Sequence, residues 1–305
     1  MTGDPRGGNL MKLDIRDVAT VNPEFRMLNN RVGLFNSSFQ DFKRYGIPKA
    51  QLILTDIPYS LGASAYASNP SWWEGGDAKN GASDKAGETF FTTDENFKPA
   101  EFMHFASQML RPEPKEKTGR TKSNAPCMII FCEFEQQFKL IELARRYGFK
   151  HYINLVFRRN YSPSVLKANM RIVGNCEYGL VLYRDKLPKF NNGGQMVFNC
   201  MDWFRNLGME RIHETQKPIP LLKCLIEIFT DPDDVIIDPC AGSASTLIAA
   251  ASLGRKAYGM EVSKRFYTDA CEAMKKYINV DMFSMAESKY YNRQTQTDTQ
   301  GTLEF

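Results

Sequence analysis

Val235-Ile236-Ile237-Asp238-Pro239-Cys240-Ala241-Gly242-Ser243-Ala244-Ser245-Thr246 is the stretch on which the fold turns. Three apolar strand-formers run into an aspartate and a proline, and four small residues then lead into an apolar segment reaching Leu253. Open parallel sheets build ligand clefts at such strand-to-helix turns. Small residues let the backbone approach a ligand closely, and a helix N-terminus offers unpaired N–H groups and positive potential. The stretch is neither G-x-G-x-x-G nor a P-loop, because no GK[ST] follows. The next apolar run, Lys256–Val262, carries Glu261, 23 residues beyond Asp238. In dinucleotide-type folds an acid there accepts hydrogen bonds from ribose hydroxyls.

The same rhythm extends upstream. Apolar runs at 51–55, 127–132, 152–157, 178–183 and 234–238 predict strands. Helical spacing predicts helices over 99–110, 134–147 (closed by Gly148), 218–230 and 245–253, and one from a Ser263 cap to about Ile278. Strands alternating with helices imply an α/β fold with a mostly parallel sheet covered on both faces. Residues 11–283 read as a single domain between a polar leader (1–10) and a polar tail (284–305). Two polar loops, 60–96 and 111–126, interrupt the rhythm, and long loops of this kind often form lids or binding surfaces.

Composition narrows the class. The 305 residues are 43% hydrophobic and 24% charged, as in ordinary globular domains. No apolar window is long enough to span a membrane, and Met1–Met11 has no secretory core, so a cytoplasmic protein is expected. Seven cysteines without a CxxC and three histidines offer neither a disulfide framework nor a zinc site, so no metal is expected. Charge is uneven. Lys139–Lys189 holds eleven basic and three acidic residues, in a chain of net charge +4. That asymmetry suits a surface facing a polyanion, although a solvated helix face produces part of the same signal.

The second chemical signal is Leu54-Thr55-Asp56-Ile57-Pro58-Tyr59-Ser60, where a strand runs into a proline-stiffened turn. A carboxylate, a main-chain carbonyl and an aromatic face aimed at one point can hold a planar, amino-substituted base.

Asp56-Ile57-Pro58-Tyr59 resembles the (Asp/Asn/Ser)-Pro-Pro-(Tyr/Phe) motif of DNA amino-methyltransferases, which methylate adenine N6 or cytosine N4. Asp238–Ser243 resembles their S-adenosylmethionine turn, and His213-Glu214-Thr215-Gln216-Lys217-Pro218 resembles their H-x-T-Q-K-P element. Arg171–Tyr183 is similar to the family segment with Asn/His-x-Glu before a strand. The catalytic motif comes first and the cofactor turn last, the order of the circularly permuted β-class. The resemblance covers about residues 28–280 and implies a Rossmann-like methyltransferase fold. Ile57 stands in place of the first proline and keeps the carbonyl the family uses. Ser245 is taken to stand where a second glycine of the turn is common, and Asn36 or Ser37 occupies the place of an acidic family residue.

The resemblance implies Asp56, Ile57, Pro58 and Tyr59 as catalytic. It puts Asp238, Pro239, Ala241, Gly242, Ser243 and Ser245 around the cofactor, with Glu261 on its ribose and Lys217 and Pro218 on its methionine side. DNA is the implied partner. Arg158, Arg159, Asn160 and Lys167 are candidate DNA contacts, loops 60–96 and 111–126 face the DNA, and target reading falls in 159–212. Asp at the head of the tetrapeptide favours adenine N6. Cytosine N4, an RNA substrate and a catalytically silent DNA-binding relative are the alternatives. A homodimer and a cognate restriction endonuclease are compatible with the family, and the sequence specifies neither.

Overall fold

Strands that are apolar on both sides must be covered on both sides, and helices on either face of one sheet achieve this. The computed structural model describes residues 25–28, 31–58, 97–115, 124–160, 164–167, 170–203 and 216–278. The strands are β1 (Phe25–Leu28), β2 (Val32–Phe35), β3 (Leu52–Asp56), β4 (Cys127–Cys132), β5 (His151–Arg159), β6 (Ser164–Lys167), β7 (Ile172–Gly174), β8 (Cys176–Tyr183), β9 (Cys200–Trp203), β10 (Val235–Asp238) and β11 (Lys256–Met260). The helices are α1 (Pro99–Met109), α2 (Gln136–Arg146), α3 (Ile219–Phe229), α4 (Ser245–Ser252) and α5 (Lys264–Ile278), with a 3-10 helix at Phe39–Arg44.

Nine strands form one sheet in the order β1-β2-β11-β10-β3-β4-β8-β5-β9, and β6 and β7 form a separate antiparallel ribbon. From β2 to β4 every pairing is parallel. β8 runs antiparallel between β4 and β5, which leaves β5 and β9 parallel to the majority. The mostly parallel α/β expectation therefore holds. Within the segment 159–212, β8 lies inside the central sheet and β9 at its edge.

Side-chain alternation divides the core. Leu52, Leu54, Ile129 and Ile236 pack against α3, α4 and α5 on one face. Ile53, Met128, Ile130 and Ile237 pack against α1 and the Leu140 and Ala144 side of α2 on the other. The chain leaves β10 through α4 on the first face and leaves β3 toward α1 on the second. The crevice between diverging connections at strand C-termini is where such sheets bind ligands, and Asp238 and Asp56 end its two flanking strands.

The described ends of loop 111–126 lie at the opposite edge. Arg111 donates from its backbone to Ala50 O at 2.9 Å and pairs with Asp234 at 2.7 Å, both just before strand starts. Residues 116–123 of this loop lie outside the described residues. Loop 60–96, Tyr59, the leader and the tail lie outside the described residues.

Candidate active site

The turn after β10 is held by its own acids. Asp238 is buried, and its Oδ1 accepts the Thr55 hydroxyl at 2.7 Å and the Cys240 N–H at 3.1 Å. Burial pushes its carboxyl up to about 6, against the lowering effect of hydrogen bonds from Thr55, Thr246 and Cys240. Glu261, at the end of the neighbouring strand, accepts the Gly242 N–H at 2.9 Å and the Ser263 N–H at 2.8 Å, and burial raises its carboxyl too. Ser243 and Ser245 are buried and share a hydrogen bond of 2.8 Å, while Pro239 and Ala241 are buried beneath the turn.

Gly242 (φ 48°) and Ala244 (φ 58°) are left-handed. The position suited to a second glycine is therefore Ala244, the residue preceding α4, and not Ser245, which is the first residue of the helix. This corrects the sequence expectation. Gly259 on β11 lets the turn seat closely, because a Cβ there would lie 2.9 Å from both Ala241 Cβ and Leu247 Cδ1.

Across the crevice, the Asp56 turn is braced through its backbone. The Ile57 N–H donates to Phe131 O at 3.3 Å, and the Ile57 side chain is buried in the second-face core. Pro58 O accepts Gln136 Nε2 at 3.1 Å, and Gln136 Oε1 accepts the Glu133 N–H at 3.1 Å. Burial raises the Glu133 carboxyl.

Lys217 lies at the Asp56 corner. Its ammonium donates to Asp56 Oδ2 and lies 3.7 Å from Glu177 Oε2, with the Phe131 and Trp203 ring centres 5.3 and 5.4 Å away. Burial lowers its ammonium below the usual lysine range, with Asp56 acting against that. Pro218, next in the chain, is buried and caps α3. Lys217 thus contacts the catalytic candidate Asp56.

Arg159 is corrected as well. Its side chain is 12% exposed, pairs with Glu177, and holds its guanidinium carbon 4.5 Å from the Trp203 ring centre. It forms part of the site's wall, and its burial argues against the phosphate contact expected from sequence. Arg158 is exposed and pairs with Asp202 at 2.7 Å, Asn160 is exposed, and Lys167 lies on β6. Sequence reasoning missed Thr55, Glu133, Gln136 and Trp203 as parts of this site. Only Glu177 carried a signal, as the acid of the Asn-Cys-Glu segment.

Among the described residues, no cluster of three or more His, Cys, Asp or Glu could hold a metal, and no helix is long and apolar enough to cross a membrane. Comparison with known proteins matches residues 50–272 to the N6/N4 family described as DNA methylase. An Escherichia coli K12 protein described as a methylase, YubD, is 29% identical over 160 residues, covering 52% of this chain and 66% of its own. The DNA adenine methyltransferase YhdJ of the same organism is 34% identical over 90 residues, covering 28% and 31%. The chain therefore spans two thirds or less of these relatives' lengths. Among solved structures, the M1.HpyAVI–SAM complex aligns with a TM-score of 0.56 at 20% identity, covering 82% of this chain and 100% of the other. The cytosine-N4-specific PvuII DNA methyltransferase also aligns at 0.56, with 13% identity and coverages of 86% and 92%.

Proposed function

Because the chain belongs to the N6/N4 DNA methylase family, we propose that it transfers a methyl group from S-adenosylmethionine to the exocyclic N6 of adenine in DNA. The observation that carries this is the contact between the two turns. Thr55, beside Asp56, donates to Asp238 at 2.7 Å, so the base-holding and cofactor-holding corners share one crevice.

The donor set suits the cofactor. Asp238 and Glu261 end adjacent strands, and carboxylates there match an ammonium and a ribose diol. Pro239, Ala241, Gly242, Ser243 and Ser245 would line the turn around it. When bound, S-adenosylmethionine supplies a methyl group activated on a positively charged sulfur.

An exocyclic amine is a poor nucleophile because its lone pair is delocalised into the ring. Asp56 and the Ile57 carbonyl each accept one of its N–H bonds, which turns the lone pair out of the ring plane. Pro58 and Gln136 hold this corner rigid, so positioning and fixed dipoles carry the rate. Tyr59 is assigned to stack on the base. A base inside a duplex is out of reach, so the target must be flipped out. An aspartate in place of serine at the head of the tetrapeptide supports adenine over cytosine.

The test is incubation of DNA with labelled S-adenosylmethionine followed by nucleoside analysis. N6-methyladenine is expected, with transfer lost in Asp56→Ala while cofactor binding is retained. N4-methylcytosine alone would overturn the choice of base. Incorporation into neither base would overturn the function.

A further inference from the structure

We propose that the β6–β7 ribbon lies in the major groove of the DNA beside the flipped base and helps to set which sequence is methylated. The inference rests on the proposed function and deepens it by naming a surface that reads the duplex.

Strand direction places the ribbon. β5 runs parallel to the majority of the sheet, so its last residue, Arg159, lies at the end where Asp56 and Asp238 stand. β8 runs the other way and starts from that same end with Cys176. The Arg159 N–H donates to Asn175 O at 2.7 Å and closes the root of the arm between them. Residues 160–175 therefore leave from and return to the crevice end, and β6 and β7 pair with each other outside the central sheet. The root is tied to the site wall, because Arg159 pairs with Glu177.

The side chains of β7 are not those of a strand lying on a core. Ile172 and Val173 are consecutive, so they point to opposite faces, yet they are 44% and 53% exposed. Met170 is 66% exposed, and Arg171, at φ 55°, is exposed beside it. Between Arg159 and Cys176 the sequence holds Lys167, Arg171 and three asparagines, and no acid.

Duplex DNA matches this combination. Its major groove, about 12 Å wide, admits a two-stranded ribbon, whereas the minor groove, at about 6 Å, is too narrow. Phosphates line the groove and suit an element with cations and no carboxylate. On its floor, thymine methyls take apolar side chains, and purine N7 atoms accept from arginine and asparagine. The ribbon of a second copy, paired about a two-fold axis, would instead set cations against cations.

The test uses the full chain, an Arg171→Gly variant and an Ile172→Thr, Val173→Thr double variant. Glycine adopts φ 55° freely, and threonine keeps the strand preference while removing apolar surface. Binding is measured to duplexes built from natural purines and from 7-deazapurines, which lack the major-groove N7 acceptor and leave the minor groove unchanged. Methylated positions are mapped by sequencing. The unaltered chain should bind the natural duplex about 10-fold more tightly than the 7-deaza duplex. Arg171→Gly should lose that preference and methylate additional sites that differ in the flanking bases. The double variant should bind DNA about 10-fold more weakly, and both variants should keep the parental cofactor affinity and urea midpoint. Equal affinity of the unaltered chain for the two duplexes would overturn the proposal, and this arm needs no variant to fold. An unchanged site pattern and DNA affinity in both variants would overturn it too, as would conversion of a dimeric chain to a monomer by either variant, which would give the ribbon to a second copy. Binding is read without turnover. Absence of transfer by the unaltered chain therefore overturns the proposed function, whereas transfer that keeps one site pattern and one DNA affinity in all three proteins overturns this inference alone.

Discussion

The Thr55 hydroxyl donates to Asp238 Oδ1 at 2.7 Å, joining two turns 183 positions apart in the chain. Its neighbour Asp56 and its acceptor Asp238 end adjacent parallel strands, so one side-chain hydrogen bond closes the floor of the crevice between them.

Thr55→Val keeps the shape and removes that donor. The buried carboxylate then loses one of its donors, and stability at neutral pH should fall by about 1–3 kcal/mol. Urea denaturation of the isolated variant measures this, and a wild-type midpoint would show that the hydrogen bond is not part of the floor.

Stability should also depend on pH through Asp238. Burial raises its carboxyl from 3.8 to about 6. Between those values the native state binds more protons than the unfolded state, so this group's contribution becomes less favourable as pH rises. The loss amounts to about 3 kcal/mol at most. Asp238→Asn should flatten that part of the pH–stability curve. Cofactor affinity should fall below about pH 6, where the carboxyl loses its charge. Denaturant melts and calorimetry across the acidic range check both, and an unchanged slope in the asparagine variant would remove Asp238 as the cause.

Two substitutions probe the turn's backbone. Ala244 holds φ 58°, where a side chain costs about 1–2 kcal/mol. Ala244→Gly should therefore stabilise the fold by about 1 kcal/mol. Gly259→Ala brings a methyl within 2.9 Å of Ala241 and Leu247 and should destabilise it by about 1–3 kcal/mol. Thermal and chemical denaturation should give opposite signs for the pair.

Salt dependence separates the two neighbouring arginines. Arg158 is exposed, whereas Arg159 is committed to Glu177 and Trp203. Arg158→Ala should make the slope of log affinity for DNA against log salt shallower by about one. Arg159→Ala should leave that slope unchanged and lower stability. A shallower slope for Arg159→Ala would restore it as a phosphate contact.

Much of the framework was legible because it is local. The run 235–246 announces a strand, a turn and a helix through neighbouring residues, and Gly148, at φ 88°, closes α2 where the pattern placed the stop. The candidate acids Asp56, Asp238 and Glu261 were visible because each ends an apolar run. Misplacements came from properties that spacing does not carry. Ala244 and Ser245 are both small, and only the dihedral angles separate them. Arg158 and Arg159 are the same residue type, and strand alternation sends one toward solvent and the other toward Glu177.

The amino-acid order alone determined an α/β chain with two acid-ended strands, because burial periodicity and turn chemistry act over a few residues. Tertiary structure decided that those strands are neighbours, that β8 enters the sheet reversed, and that Lys217 sits on Asp56 across 161 positions. Pairing between distant side chains depends on strand order and direction, and a buried charge takes whichever partner the completed sheet brings within reach.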